Sequence, residues 1–105
     1  MAWISLFVAG LLETAWAAGL KALSGSFSFG LVVATAAAML ASIWGLYWSL
    51  RSLPLGVAYP IWTGLGSVGS VVVGVLVFKQ EISLWGILGI IFLILGMFLV
   101  SLETH

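Results

Sequence analysis

A single carboxylate, Glu13, lies in the middle of the first long apolar stretch of the chain. No other charged residue occurs between residues 7 and 20, and the nearest cation, Lys21, follows eight residues later. An ionisable group near the centre of a bilayer costs at least about 2.5–3.5 kcal/mol, and such groups usually bind an ion, a proton or a substrate. Without a cation, the carboxylate tends to take up a proton, because removal from water disfavours its charged form. Glu13 therefore predicts a site that alternates between a cation and a proton.

Four further side chains, in three of the apolar stretches, can line such a site. Trp16 shares a helix face with Glu13 and is too far from a helix end to lie at a membrane interface, so it either fills the core or forms one wall of the site. Tyr59 and Trp62 also share a face. Their side chains donate hydrogen bonds and present rings to cations, and aromatic core packing is the alternative. Ser42 can orient a nearby carboxylate or bond back to its own helix.

The composition excludes several classes of protein. The 105 residues are 64% hydrophobic and include only three basic and three acidic side chains, whereas soluble domains average about 25% charged residues. No basic patch is available to bind nucleic acid, and the absence of cysteine excludes disulfides and thiolate metal sites. His105 is a single, terminal histidine, and no catalytic or nucleotide-binding motif occurs. We therefore expect no enzyme activity, no cofactor and no metal site.

Four apolar stretches are long enough to cross a membrane as helices. A spanning helix needs about 20 mostly apolar residues, and such stretches lie at roughly 3–22, 29–50, 57–78 and 84–102. The alternating segments of about ten residues that build a membrane β-barrel are absent. The sequence therefore predicts an all-α integral membrane protein, with one transmembrane domain of four helices over residues 1–105 and both termini on the same side.

The charges in the links give the chain almost no preferred orientation in the membrane. Lys21 and Lys79 lie on one side and Arg51 on the other, and orientation normally follows the basic residues of short loops. A chain that inserts both ways can form an antiparallel pair. Because four helices leave little room for a closed pathway, we expect a homodimer of inverted copies.

Glycines in the third and fourth helices predict a hinge and a contact surface. Gly64 and Gly66 lie in the middle of the third helix and favour a bend that serves as a hinge. Gly89 and Gly96 are seven residues apart and share one seam of the fourth helix, which we interpret as a dimer contact, with lipid-facing filler as the alternative. Pro60 is expected to distort the start of the third helix.

The whole chain resembles a small multidrug resistance transporter, and more narrowly the guanidinium exporter subtype of that family. The resemblance covers all four predicted helices. The motifs that carry it are Ala9-Gly10-Leu11-Leu12-Glu13, Trp16-Ala17-Ala18-Gly19-Leu20-Lys21, Ser42, the segment from Leu53 to Gly66, and Phe78-Lys79. Pro60 departs from the family pattern, which usually has alanine between the two site aromatics.

The resemblance implies an antiparallel dimer in the bacterial inner membrane, in which Glu13 of each chain binds either the substrate cation or protons. The family's site tryptophan and tyrosine on the third helix correspond to Trp62 and Tyr59. In the guanidinium subtype a tryptophan and a serine hydrogen-bond around the glutamate, and these correspond to Trp16 and Ser42. The drug-exporting subtype typically has a small residue in place of Trp16. The family's hinge and dimer seam match Gly64-Leu65-Gly66 and Gly89 with Gly96.

The expected function is proton-coupled antiport that exports guanidinium and small guanidinyl cations across the inner membrane. The alternative within transport is a broad exporter of quaternary ammonium compounds or other cationic drugs. A channel and a non-transporting accessory subunit are the alternatives outside it, although a pure scaffold does not need a buried acid. Some family members work only as paired, unlike chains, and the two-to-one charge bias does not exclude such a partner.

Overall fold

A computed structural model describes residues 2–103, and His105 lies outside them. Within that range the chain forms four α-helices, each long and apolar enough to cross a membrane, which confirms the all-α, four-helix part of the predicted fold. The helices are α1 (Ala2–Gly25), α2 (Phe29–Leu50), α3 (Leu55–Leu76) and α4 (Leu84–Ser101). The first helix extends three residues beyond the predicted stretch, and the third begins and ends two residues earlier than predicted.

The early start of α3 follows from the geometry of the preceding proline. Pro54 is extended, with ψ of 149°, and its carbonyl accepts hydrogen bonds from the backbone N–H groups of Val57 and Ala58 at 3.1 and 2.9 Å. The first helical turn therefore closes on Pro54. At the other end, Lys79 adopts a left-handed backbone with φ of 59°, and the N–H of Gln80 folds back to donate to the carbonyl of Gly74 at 2.8 Å.

Pro60, which is expected to distort the start of α3, does not interrupt that helix. It is the sixth helical residue, and the helix is continuous on both sides of it. Its missing N–H deprives only one carbonyl of an intrahelical partner, that of Gly56. Gly56 is exposed, so its carbonyl can be satisfied outside the helix. The exposure of Gly56 therefore limits the cost of the lost bond.

The described part of the chain is a thin slab in which α1 is the central helix. α1 packs against both α2 and α3, whereas α4 contacts α3 alone. The buried core lies among the first three helices and includes Leu6, Ala9, Ala58 and Ile61, while α4 contains no buried residue. The principal dimensions are 46 × 35 × 16 Å. Because one helix with its side chains is about 10–12 Å thick, this slab is too thin to enclose a pathway by itself.

Small residues allow the backbones of α1 and α2 to approach closely. A Cβ atom added to Gly45 would lie 2.9 Å from the Cβ of Ala9 and 3.3 Å from the backbone oxygen of Ser5. In the same region the Ser5 hydroxyl donates a hydrogen bond to the Gly45 carbonyl at 2.7 Å. Both neighbours of Gly45 are therefore backbone or near-backbone atoms that cannot move aside as the end of a flexible side chain can.

Replacing Gly45 by alanine should destabilise the protein, despite the higher helix propensity of alanine. We expect the free energy of unfolding in mixed detergent micelles to fall by about 1–3 kcal/mol, the usual cost of overpacking, as measured by circular dichroism during titration with SDS. The matched control is Gly30→Ala in the same helix, where the nearest side-chain atom to the added Cβ would be 3.8 Å away. Equal stability of the two variants would contradict the close-packing assignment.

Candidate functional site

The Glu13 carboxylate lies between α1 and α3, where a glycine of α3 makes room for it. A Cβ added to Gly66 would lie 2.6 Å from Cδ and 2.8 Å from Cγ of Glu13. Any larger residue at position 66 would therefore occupy the space that the Glu13 carboxylate fills. One carboxylate oxygen, Oε1, is buried and accepts no hydrogen bond from the described residues. Burying a polar atom without a partner costs free energy, so this oxygen is suited to accept a hydrogen bond from a bound ligand or to carry a proton.

An open cleft of about 380 Å³ adjoins this carboxylate, and we call it the Glu13 cleft. Its lining residues come from α1 and α3: Glu13, Trp16, Ala17, Thr63, Gly66, Ser67 and Ser70. The α3 residues recur at intervals of three and four, so they lie on one face of the helix. The Glu13 cleft thus combines one carboxylate, one indole and three hydroxyl groups.

The three hydroxyl groups of the Glu13 cleft present acceptors rather than donors. Ser67 donates its proton to the carbonyl of Thr63 at 2.8 Å, and Ser70 donates to that of Gly66 at 2.6 Å. Thr63 donates within its own helix in the same way, to the carbonyls of Tyr59 and Pro60 at 3.0 and 3.1 Å. A hydroxyl that has donated its only proton retains lone pairs that can accept. The Glu13 cleft is therefore chemically suited to a cation that carries several N–H donors.

Sequence reasoning missed the role of Thr63, Ser67 and Ser70 as lining residues. Their spacing around Gly66 was a usable signal, because residues 63, 66, 67 and 70 share one helix face. Hydroxyl groups in an apolar helix usually bond to their own backbone, as these do, and that property alone does not distinguish a lining residue from a lipid-facing one.

Trp16 lines the same cleft as Glu13, and its polar atom is also without a partner among the described residues. The Nε1–H group of Trp16 is buried and donates no hydrogen bond to the described residues. Both side chains line the Glu13 cleft, but no hydrogen bond joins them. A buried donor and a buried acceptor thus lie in one cleft, each free to bond to a ligand or, after a side-chain rotation, to each other.

Ser42 and Trp62 form a second polar cluster that joins three helices. The Ser42 hydroxyl is fully buried, donates to the backbone carbonyl of Ala9 in α1 at 2.7 Å, and accepts from Nε1–H of Trp62 in α3 at 3.0 Å. In an α-helix the carbonyl of residue 9 also accepts the backbone N–H of residue 13. Ser42 therefore holds the helical turn that carries Glu13, rather than the carboxylate itself, and it does not bond back to its own helix.

Tyr59 lies on the outer side of this second cluster. Its ring is half-exposed and tilted against the ring of Trp62, with centroids 5.5 Å apart. Neither Tyr59 nor Trp62 lines the Glu13 cleft within the single chain. The structure therefore brings Glu13 and Trp16 together, and separately brings together Ser42, Trp62 and Tyr59, one helical turn away.

The glycines predicted as a hinge both have a packing reason to be glycine. A Cβ on Gly64 would lie 2.6 Å from Sδ of Met97 in α4, and Gly66 faces Glu13. The glycines predicted as a dimer seam behave differently, because a Cβ on Gly89 or Gly96 would meet no atom of the described residues within 4 Å.

Within residues 2–103, no three histidine, cysteine or acidic side chains are close enough to hold a metal ion.

The chain is similar to known proteins along its whole length. The family model described as "Small Multidrug Resistance protein" matches residues 1–94. Proteins named guanidinium exporter from Citrobacter freundii and Salmonella typhimurium are 41% identical over 105 residues, which is 100% of this chain and of each relative. The guanidinium exporter of Escherichia coli strain K12 is 38% identical over the same 105 residues, again 100% of both chains. The chain is a multi-pass protein of the bacterial inner membrane and belongs to the small multidrug resistance family, as its motifs indicated.

Proposed function

We propose that this protein is a proton-coupled antiporter that exports guanidinium and small guanidinyl cations. The observation that carries the proposal is that the Glu13 cleft contains several hydrogen-bond acceptors. A carboxylate oxygen without a partner and hydroxyl groups that have already donated their protons line the same cleft. Guanidinium is planar and offers parallel N–H donors that match a carboxylate in bidentate geometry. The names of the relatives support the same cargo, since those proteins are called guanidinium exporters.

Coupling follows from the use of one carboxylate for two ligands. When Glu13 is ionised, it attracts the cation, and the hydroxyl oxygens of α3 accept the remaining N–H donors. When a proton reaches Glu13, the carboxylate loses its charge and the cation loses its principal partner. Because the same oxygens cannot hold both ligands, inward movement of protons drives outward movement of the cation.

The other predicted site residues act on this exchange in different ways. Trp16 supplies an N–H group that can stabilise the ionised carboxylate when no cation is present, and its ring forms one wall. Ser42 and Trp62 hold the turn of α1 that positions Glu13. Tyr59 presents a half-exposed ring at the outer side of α3, where it is available to a cation approaching from the other chain of a dimer.

A second, antiparallel copy of the chain completes the proposed transporter. The single chain is a slab 16 Å thick, and its cleft is open on one side. α4 leaves its apolar surface without a partner, and the open space in front of Gly89 and Gly96 suits close contact with another helix. Each copy contributes one Glu13 to a shared site. We propose that α3 bends at Gly64 and Gly66, and that this motion closes the site on one side of the membrane and opens it on the other.

Export of larger quaternary ammonium cations is the second candidate function, and the size of the Glu13 cleft favours it. A volume of about 380 Å³ falls within the range of about 300–1,000 Å³ that drug-sized ligands occupy. The two candidates differ in one respect that can be measured. A quaternary ammonium ion has no N–H donor, so it gains nothing from the hydroxyl acceptors of α3.

Replacing Glu13 by glutamine should abolish transport. We expect the guanidinium-evoked current of reconstituted protein on a solid-supported membrane to disappear, because the amide neither ionises nor binds a proton in exchange. The matched control is Glu81→Gln, which removes the same charge from the exposed link between α3 and α4 and should retain the current. A Glu13→Gln variant that transports like the wild type would refute the mechanism. A current with tetrapropylammonium and none with guanidinium would favour the drug-exporter alternative.

Replacing Ser42 by alanine should weaken both the fold and transport. The substitution removes the donor to Ala9 and leaves the buried Nε1–H of Trp62 without a partner, at a cost of about 1–2 kcal/mol in the free energy of unfolding. The control is Ser49→Ala, since Ser49 is equally buried in α2 but donates only to Leu46 of its own helix. Detergent unfolding and the apparent KM for guanidinium provide the readouts. If the two alanine variants behave alike, Ser42 does not hold the Glu13 turn.

A further inference from the structure

A second cleft continues from the Glu13 cleft toward the ends of α1 and α3, and we call it the outer cleft. It has a volume of about 450 Å³ and is lined by residues that include Lys21, Ser70, Phe78 and Gln80. Ala17 and Ser70 line both clefts, so the two adjoin each other along the contact between α1 and α3. The outer cleft is therefore the space next to a ligand bound at Glu13.

The outer cleft carries hydrogen-bond donors and a positive charge, in contrast to the Glu13 cleft. The ammonium group of Lys21 makes no ion pair or hydrogen bond with the rest of residues 2–103, and its side chain is exposed. Gln80 is held beside the cleft by the hydrogen bond that its own N–H donates to the Gly74 carbonyl. The side-chain amide of Gln80 packs against Gly74, since a Cβ there would lie 2.5 Å from its Oε1.

The spacing of the two charges suits a ligand of a few bonds in length. Lys21 follows Glu13 by eight residues, which is a rise of about 12 Å along the helix. Side chains in a helix lean toward its N-terminus, and this holds for Glu13 as well as for Lys21. The two adjoining clefts thus have a carboxylate at one end and an ammonium at the other, separated along the helix by roughly the same 12 Å.

We propose that the outer cleft is a subsite for the tail of a substituted guanidine and that Lys21 determines which tails are accepted. The inference rests on the proposed function, because it places the guanidinium head at Glu13. A carboxylate or carbonyl tail accepts hydrogen bonds from Lys21 and Gln80, whereas a cationic tail of the same length is repelled by Lys21. The preferred substrates are therefore guanidino acids and carbonyl-bearing guanidines, and guanidines with a second amine are rejected.

Three ligands with four-carbon tails separate the effect of tail charge from that of tail size: γ-guanidinobutyrate, butylguanidine and agmatine. Their affinities for the full-length wild-type protein in detergent micelles are measured by tryptophan fluorescence at low salt, alongside their currents in proteoliposomes. We expect guanidinobutyrate to bind about three- to fivefold more tightly than butylguanidine, the scale of an exposed ion pair, and agmatine to bind more weakly than either. The preference should shrink as ionic strength rises.

Three variants assign this preference to Lys21. Lys21→Gln should bring the affinities of guanidinobutyrate and butylguanidine to about the same value, and Lys21→Arg should retain the preference because the charge is kept. Lys79→Gln is the matched control: it removes a lysine from the same end of the bundle that does not line the outer cleft. A preference that survives in Lys21→Gln, or that falls equally in Lys79→Gln, would overturn the subsite and leave Lys21 as an interface residue.

The two readouts distinguish failure of this inference from failure of the proposed function. A guanidinium current that depends on Glu13, without any tail preference in binding, would leave the transporter intact and overturn the subsite. A tail preference that depends on Lys21, in a protein that carries no guanidinium current, would support the subsite and overturn the proposed transport. Absence of a guanidinium current together with absence of binding by all three ligands would overturn both.

Discussion

The structure depends on one constraint: a single ionisable side chain must be kept inside an apolar helix without a permanent partner. A fixed cation next to Glu13 would form a permanent ion pair with the carboxylate, which would then have little affinity for a ligand. Instead Gly66 makes room for the carboxylate, and the nearby hydroxyls of α3 donate their protons to their own helix. Because the buried carboxylate has no permanent partner, the binding of a cation or a proton relieves the free-energy cost of its burial.

An unpartnered carboxylate needs a rigid support, and the contacts of α1 provide it. Small residues bring the backbones of α1 and α2 together at Gly45, and the Ser42 hydroxyl connects α2 to the carbonyl of Ala9 and to the indole of Trp62. These contacts position the turn that carries Glu13 but leave its carboxylate unbound. The buried core is formed by α1–α3, while α4 packs on α3 alone and keeps its apolar surface exposed.

The helices and the central acid could be predicted from the sequence because they depend on local composition. Hydropathy alone locates four spans, and Glu13 is the only charge between residues 7 and 20 of the first. The bonds of Ser42 could not be predicted, because they depend on how α1, α2 and α3 rotate about their axes. The early start of α3 depends on the carbonyl of Pro54, which lies outside the apolar stretch. The lining hydroxyls of α3 escaped notice because intrahelical bonding looks the same in lining and lipid-facing residues.

The most direct test of the central claim is to count the protons released when guanidinium binds. The purified protein in weakly buffered detergent solution is titrated with guanidinium, while a pH indicator follows proton release and tryptophan fluorescence follows binding. If the cation and the proton compete for the Glu13 carboxylate, binding at a pH where the free protein holds the proton must acidify the solution. Saturable binding of guanidinium without any proton release, at every pH tested, would contradict the account.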